Sequence, residues 1–470
     1  MSDSTTQRQA PGSTPQAPKV SSTYTHSKLG TIWSRQMPEY SGSYPVGAMD
    51  VEFPIEPQTI GSFRHRKLAN KQKKGTSSEE NITTAGIEID TVLFTFFYPC
   101  DLDQGQNRTQ NEGGGKGTVW FPRPSSTVKG FMNMAGVENS LIRSLAYVGA
   151  LTAVHGLKFP AHQRAPIRTP PSGKWPLIIF SHGVGCSRLM YTHICGELAS
   201  RGYVVAAVEH RDGTGPSAKI TSEDGQERDI DFLRWTDLDW PDRPEDQQPK
   251  DDNTLRHDQL KIRLVEMQST LDVIAKLTTG AECAKSRLMA SRTVDWSAWK
   301  GLVEVEEGSV CLAGHSFGGT AVIAAAADPR FSPSSIIALD PAVERIEPWS
   351  ATIPCPLISI NSEEFSHDQD YERLLRLCET VKGDKHVYVI AGSTHPSFSD
   401  VFLITPGFVG GWTGLSAPPY GVILITLKVL ATYFAKSPKA VMASLSTTSV
   451  DTMPAKPVGR PGDLIHQNLV

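Results

Sequence analysis

The ten residues from Val310 to Gly319 restrict what this chain can fold into more than any other stretch. Val310-Cys311-Leu312-Ala313 is a short apolar run with no room for a polar face. It meets Gly314-His315-Ser316-Phe317-Gly318-Gly319, after which Thr320 to Ala327 is Ala-rich and reads as the start of a helix. The order is strand, sharp turn, helix, with Gly-x-Ser-x-Gly at the turn. Glycines two before and two after the serine let strand and helix approach closely. Such a turn would hold Ser316 in a strained backbone conformation with its hydroxyl projecting, and the Phe317 N–H would lie beside it at a helix N-terminus. Because Gly-x-Ser-x-Gly also occurs by chance, the weight of this reading depends on what the rest of the chain places around it.

Several other apolar runs read as buried strands. Val92 to Pro99 is β-branched and aromatic and ends at a proline. Leu177-Ile178-Ile179-Phe180 and Tyr203 to Val208 are continuous apolar runs, typical of parallel strands covered on both faces. With the helix Tyr191 to Arg201 between them they make a right-handed crossover unit. Gly47 to Phe53 alternates, as an antiparallel strand entering a sheet does. Residues 1–40, rich in Ser, Thr, Pro and Gln, are expected to be a disordered tail, and 437–470 another. Between them, 41–436 reads as one catalytic domain of the α/β-hydrolase fold. Its sheet is mostly parallel and twisted, with antiparallel N-terminal strands and helices on both faces. Polar stretches at 64–80 and 101–117 read as loops, and the acidic, Trp-containing run 221–253 as an insertion over the top of the sheet. Leu255 to Leu277 reads as a long helix with Arg256, Arg263 and Glu266 on a polar side, and 283–300 as helical. Apolar residues from Phe131 to Val148 recur at helical spacing, so 130–157 is expected to be an amphipathic helix. The plainer reading packs it on the core, and the sharper one turns it toward lipid.

Composition excludes other classes. A formal charge of −4 over 470 residues suggests neither nucleic-acid binding nor a strong attraction to anionic membranes. Seven scattered cysteines do not form a disulfide framework or a Cys-x-x-Cys zinc motif, so reduced thiols in a cytoplasmic protein are expected, with no metal or cofactor. Neither a signal peptide nor a spanning helix is read.

A serine hydroxyl needs a histidine to take its proton, and that imidazole needs a carboxylate to fix its tautomer. In this fold the chain order is Ser, acid, His. Ser335 to Leu339 is a strand ending at Asp340; Pro354 to Ile360 is the next, ending near Glu363 and Glu364; His386 to Ile390 is followed by a loop carrying His395. His395 is therefore the base candidate, since His386, His367 and His257 are not placed at strand ends. Asp340 is the leading acid, with Glu363 or Glu364 as competitors. His315 reads as a packed elbow residue, Asp328 as a helix-end residue and Asp400 as a brace for the loop after His395. His182-Gly183-Val184-Gly185, following the strand at 177–180, would offer the Val184 N–H as a second oxyanion donor beside that of Phe317.

The ordered set of landmarks resembles the platelet-activating factor acetylhydrolase family, plasma and type II intracellular group. It comprises Tyr44-Pro45-Val46-Gly47, Phe97-Tyr98-Pro99, Trp120-Phe121-Pro122, Ser181-His182-Gly183-Val184-Gly185, Val208-Glu209-His210-Arg211-Asp212-Gly213, Gly314 to Gly319, Leu339-Asp340, Ile360-Asn361-Ser362-Glu363 and His395-Pro396-Ser397-Phe398-Ser399-Asp400. The resemblance covers roughly residues 44–435. It implies Ser316 as nucleophile, Asp340 as acid, His395 as base, and Val184 and Phe317 as backbone oxyanion donors. The implied reaction is calcium-independent hydrolysis of the short or oxidised sn-2 acyl ester of a phospholipid, with peripheral contact to a membrane or micelle. A general carboxylesterase on small esters would share this chemistry. A catalytically silent binding scaffold would have no need of all three residues in this order.

Overall fold

A computed structural model of the chain describes residues 31, 34–66, 86–102, 117–136, 139–222, 224–279, 296–434, 447–454 and 459–469. Most of the apolar runs become strands of one eleven-stranded sheet. In chain order these are β1 (Val46–Ile60), β2 (Ile87–Pro99), β3 (His162–Gln163), β4 (Leu177–Ser181), β5 (Val204–Glu209), β6 (Cys311–His315), β7 (Ser335–Leu339), β8 (Leu357–Ser362), β9 (Lys385–Ile390), β10 (Thr447–Val450) and β11 (Leu464–Gln467). Their order across the sheet is β10-β11-β9-β8-β7-β6-β4-β5-β2-β1-β3. From β9 to β5 the strands are parallel, whereas β2 runs antiparallel to both β5 and β1. This is the α/β-hydrolase arrangement expected from the sequence.

The helices used below are α1 (Pro124–Met134), α2 (Ser140–Val154), α3 (Thr192–Ala199), α4 (Asn253–Thr279), α5 (Phe317–Ala326), α6 (Gln369–Cys378), α7 (Gly407–Trp412) and α8 (Pro419–Phe434). Every residue of β4 and β5 is buried, because successive side chains feed two different cores. Leu177 and Ile179 join Met267 and Ile274 of α4, Ile323 of α5 and Leu374 of α6. Ile178 and Phe180 point the other way, to Ile194 and Leu198 of α3 and Val422 and Leu427 of α8. At about 1.5–3 kcal/mol for each large apolar side chain fully buried, these two layers fix the register of the parallel block.

Four expectations are corrected. Residues 437–470 are not a disordered tail throughout. Strand β11 pairs antiparallel with β9, Val389 opposite Ile465, and β10 lies parallel beside it. Leu464 and Ile465 are buried; the surrounding Ser, Thr and Pro concealed so short an apolar pair, which covers an otherwise open sheet edge. At the other end, order begins before residue 41: Met37 is buried and the Tyr40 hydroxyl donates to the Thr192 carbonyl at 3.1 Å. The helix expected over 130–157 is two, α1 and α2, divided near Gly136, whose φ is +65°. The Asn139 side chain caps α2 by accepting from the Leu141 and Ile142 N–H groups. The core-packed reading holds for Phe131 of α1 and Val154 at the end of α2, which pack against the core, but not for the rest of α2: no residue of α2 is buried, and Leu141, Ile142, Leu145 and Val148 are 58–68 % exposed. Finally, the polar side of α4 is turned inward: Arg263 and Glu266 are wholly buried.

The 221–253 segment begins with a hairpin pairing Ser217–Thr221 with Glu227–Asp231 and folds back onto the loop after β5, where the Leu233 N–H bonds the Gly213 carbonyl. Residues 1–30, 67–85, 103–116 and 280–295, which carry much of the tail, loop and helix expectations, lie outside the described residues. Among the described residues no helix is long and apolar enough to cross a membrane.

Replacing the buried Ile465 by alanine should cost about 2–4 kcal/mol and lower the urea midpoint, while Thr448→Ala in the exposed part of β10 should change it little. Equal midpoints for the two variants would contradict the placement of β11 on the sheet.

Candidate active site

The sequence-derived site residues gather along the C-terminal edge of the parallel block, where open α/β sheets bind ligands. Ser316 follows β6 with φ +57° and ψ −125°, a conformation that L residues rarely adopt. Its N–H donates to the Leu339 carbonyl at the end of β7 (2.8 Å), and its carbonyl accepts from Thr320. The flanking glycines are required by contact. A Cβ on Gly314 would lie 2.2 Å from the Gly318 carbonyl oxygen, and one on Gly318 would lie 2.1 Å from that of Ser181. The strained turn is thus wedged between β4 and the start of α5.

Asp340 sits one residue beyond β7, fully buried, with φ +43°. Its Oδ1 accepts the Ser362 N–H (2.7 Å), and its Oδ2 accepts the Ser362 hydroxyl (2.6 Å) and faces His395 Nδ1 at 3.0 Å. With donors on both carboxylate oxygens, the shared hydrogen resides on His395 Nδ1 and Nε2 keeps its lone pair. Burial disfavours the charged imidazole, but the hydrogen bond to Asp340 and its charge outweigh this and raise the His395 pKa. The His395 side chain remains 41 % exposed, so the ring reaches solvent from a buried partner.

The competing acids hold the histidine loop instead. Glu363 accepts the Gly392 N–H at 2.6 Å, and Glu364 accepts the His395 N–H at 2.8 Å. Asp400 accepts from the Thr192 N–H and hydroxyl and the His193 N–H, which caps α3 and ties the end of that loop to it. His257 and His367 are exposed, His386 lies at the start of β9, and Asp328 pairs with Arg330 beyond α5.

His315 is buried beside the elbow. Its ring centroid is 4.6 Å from that of His395, and its Nδ1 lies 2.7 Å from the Tyr191 hydroxyl, which also accepts the Gly183 N–H at 3.3 Å. Burial drives the His315 pKa well down, with the neighbouring His395 acting in the same direction. His315, Asp340 and His395 place ligand-type atoms within 4.8 Å of one another, a spacing a cation could bridge. Both Asp340 oxygens and one nitrogen of each histidine are already engaged in the bonds described, so the donor set suits proton handling better than metal binding.

The loop after β4 passes directly over the serine: a Cβ on Gly183 would lie 3.0 Å from the Ser316 Cβ. The Gly183 carbonyl faces His182 Nδ1 (2.8 Å) and accepts from Cys186 N–H (3.3 Å). Among the described residues no acceptor engages the Val184 N–H or the Phe317 N–H.

Sequence reasoning named Tyr191 only as a helix boundary and missed the roles of Ser362 and the groups below the loop. Ser362 stands inside Ile360-Asn361-Ser362-Glu363 beside a glutamate that reads as a competing acid; a hydroxyl at a strand end next to a candidate aspartate is the signal the sequence holds. Glu209-His210-Arg211-Asp212 carried no role. In the fold Glu209 pairs with Arg188, His210 bridges Ser181 and Glu266, Arg211 reaches Glu52 and Thr91, and Asp212 pairs with Arg263.

Comparison with known proteins agrees with this fold. The sequence model of the family described as "Platelet-activating factor acetylhydrolase, isoform II" matches residues 29–425. Proteins named platelet-activating factor acetylhydrolase from Bos taurus and Canis lupus familiaris are 33 % and 31 % identical; each alignment covers 81 % of this chain, and 71 % and 72 % of theirs. A protein named putative phospholipase A2 from Schizosaccharomyces pombe is 26 % identical over 62 % of the chain and 59 % of its own. Among solved structures, a ferulic acid esterase from Streptomyces cinnamoneus superposes with a TM-score of 0.51 at 18 % identity, over 86 % of this chain and 93 % of its own.

Histidine-selective NMR titration should find His395 titrating above the ordinary value of about 6.5. In Asp340→Asn the titration should move down, since the group that favours the imidazolium is lost, while Glu364→Gln should shift it less. A His395 titration unmoved by Asp340→Asn would contradict the pairing.

Proposed function

The chain belongs to the platelet-activating factor acetylhydrolase, isoform II, family, and from that premise we propose that this carboxylic ester hydrolase is a serine esterase. Its substrate is the short or oxidised sn-2 acyl ester of a glycerophospholipid. The observation that carries the reading is the Asp340–His395 pair together with a strained Ser316, whose N–H bonds the residue before Asp340, and the Val184 and Phe317 N–H groups, which no acceptor among the described residues engages.

His395 Nε2 takes the Ser316 proton as Oγ attacks the acyl carbon, and the resulting imidazolium is stabilised by Asp340 through Nδ1–H. The developing oxyanion is received by the Val184 and Phe317 N–H groups, the latter at the start of α5 where the helix dipole favours negative charge. His395 then gives its proton to the leaving lyso-phospholipid oxygen. Water activated by the same imidazole releases the acyl group from Ser316. Every proton in these steps passes through His395, so the chemistry calls for no calcium ion. The phospholipid substrate class is supported by family membership.

Contact with a lipid surface is part of the proposal. Leu141, Ile142, Leu145 and Val148 form an exposed apolar stripe on α2, and Phe408 and Trp412 on α7 are 54 % and 81 % exposed. The Arg35 guanidinium donates to the Thr152, Ala153 and His155 carbonyls, and the Arg35 N–H bonds Thr31, which itself bonds Ile404 shortly before α7. Thr31 and Arg35 thereby connect the end of α2 with Ile404, three residues before α7. A helix with an apolar face and no buried residue suits the boundary of headgroups and acyl chains.

A fluorophosphonate probe should label the wild type and not Ser316→Ala, and turnover of Ser316→Ala or His395→Ala should fall about ten thousand-fold or more. Labelling that survives in Ser316→Ala would sink the nucleophile assignment. Initial rates on sn-2 acetyl phosphatidylcholine should exceed those on sn-2 long-chain analogues, and equal rates would favour a general esterase. Leu141→Asp with Leu145→Asp should weaken sedimentation with phosphatidylcholine vesicles while leaving turnover of a water-soluble ester intact; unchanged sedimentation would remove α2 from the lipid contact.

A further inference from the structure

Under the loop that carries Val184 lies a buried cluster to which the reaction above assigns no task. Arg263, on the inward side of α4, is fully buried. Its Nε donates to Asp212 Oδ2 at 2.8 Å, its Nη2 to Thr214 Oγ1 at 2.7 Å, and its Nη1 to the His182 carbonyl. Asp212 also accepts the Thr214 N–H and hydroxyl at 2.9 and 2.6 Å, and the Thr214 carbonyl accepts the Gly185 N–H at 2.8 Å. On another side the guanidinium lies 4.6 Å from the centroid of the Phe317 ring. One planar cation therefore holds the residue two before Val184, reaches the residue after it through Thr214, and packs on the side chain of Phe317.

We propose that Arg263, oriented by Asp212, is a positioning residue that aligns the two oxyanion donors, the N–H groups of Val184 and Phe317. The inference rests on the serine-esterase reading.

Peptide planarity supplies the physical reason. In the peptide joining His182 to Gly183, the carbonyl is held by Arg263 and the N–H by the Tyr191 hydroxyl. In the next, joining Gly183 to Val184, the carbonyl is held by His182 Nδ1–H and the Cys186 N–H. His182 Nε2 accepts the His210 N–H at 3.0 Å, which leaves the ring hydrogen on Nδ1 to donate. With its carbonyl fixed, a trans peptide aims its N–H the opposite way, so the Val184 N–H has one direction. Removing Arg263 would leave the His182 carbonyl and the Thr214 hydroxyl short of a donor in a dry site, and the glycine-containing loop would rotate to satisfy them. A buried guanidinium is a poor device for stability alone, because desolvation offsets much of what its ion pair returns. Burial by itself would raise the Asp212 carboxyl, yet Arg263 beside it brings that group down to about 2, so the carboxylate is available to orient the guanidinium at neutral pH. The charge stays balanced within the cluster while the remaining donors converge on the loop.

The test compares wild type with Arg263→Lys, Asp212→Asn and the milder Thr214→Val. Turnover is expressed per active site, counted by fluorophosphonate titration of Ser316. Alongside it, binding of a trifluoromethyl ketone, which forms a tetrahedral adduct needing the oxyanion donors, is compared with binding of an ether analogue that does not. Per-site kcat should fall about 10- to 1000-fold, approaching at most the roughly 100- to 1000-fold of a lost oxyanion donor, with KM nearly unchanged. Ketone affinity should fall in step with kcat/KM and ether affinity should hold. Variants that lose titratable serine or melting temperature but keep per-site kcat would overturn the inference, as would equal weakening of both ligands. A wild type that does not react with the probe would instead overturn the serine-esterase reading, and this inference with it.

Discussion

The Asp340 carboxyl is where the sheet and the candidate site are joined. It lies at the end of β7, accepts two hydrogen bonds from Ser362 at the end of β8, and faces the histidine on the loop after β9. A buried carboxylate without such donors would be costly to keep charged. Three donors, two from Ser362 of β8 and one from the loop after β9, offset that cost only while the parallel register places Leu339 beside Ile360 and Ser362 beside Ile390. The register is set by the two apolar layers on either face, so the core governs the distance between a carboxylate and an imidazole. The elbow is tied to the same point, since the Ser316 N–H bonds Leu339, the residue before Asp340.

Charge is layered below this edge in an order that follows from burial. Arg188 with Glu209, Arg211 with Glu52, and Arg263 with Asp212 each pair opposite charges at sites that are nearly dry. Burial pushes Glu266 up to about 8 and drives His210 well down, so the contact between those two is best read as one of low total charge. Arg263 and Glu266 reach these groups from the buried side of the long helix α4, where an apolar filling would have sufficed for packing. Arg263 bonds the His182 carbonyl after β4 and Glu266 the Arg211 N–H after β5, in loops that must keep one shape although they are not strands.

Much of this was legible in the sequence, for reasons that differ by element. Continuous apolar strands between helices have few alternative folds, so the parallel block and its C-terminal edge followed from Leu177–Ser181, Val204–Glu209 and the stretch around Ser316. The contact between Asp340 and His395 was foreseeable because strand ends can be counted. Position relative to solvent was harder. The stripe of α2 has the same spacing whether it faces a core or a surface, and periodicity cannot distinguish the two. Arg263 and Glu266 read as a polar side of α4, since a buried ion network and a solvated face share a composition. The pairing of β11 with β9 was concealed for a related reason: composition over thirty-odd residues says little about a strand of four. Ser362, Tyr191 and Thr214 act through single hydrogen bonds across the fold, and no local pattern announces such contacts.

The central claim is that Ser316 carries the acyl group from a short-chain phospholipid during turnover. Rapid-quench mass spectrometry of the Ser316 peptide, during reaction with sn-2 acetyl phosphatidylcholine, tests it directly. The account predicts an acetyl adduct on Ser316 that forms within a turnover and decays at a rate consistent with kcat, and that is absent from Ser316→Ala. An acetyl group found on another residue, or steady hydrolysis by Ser316→Ala at the wild-type rate, would contradict it.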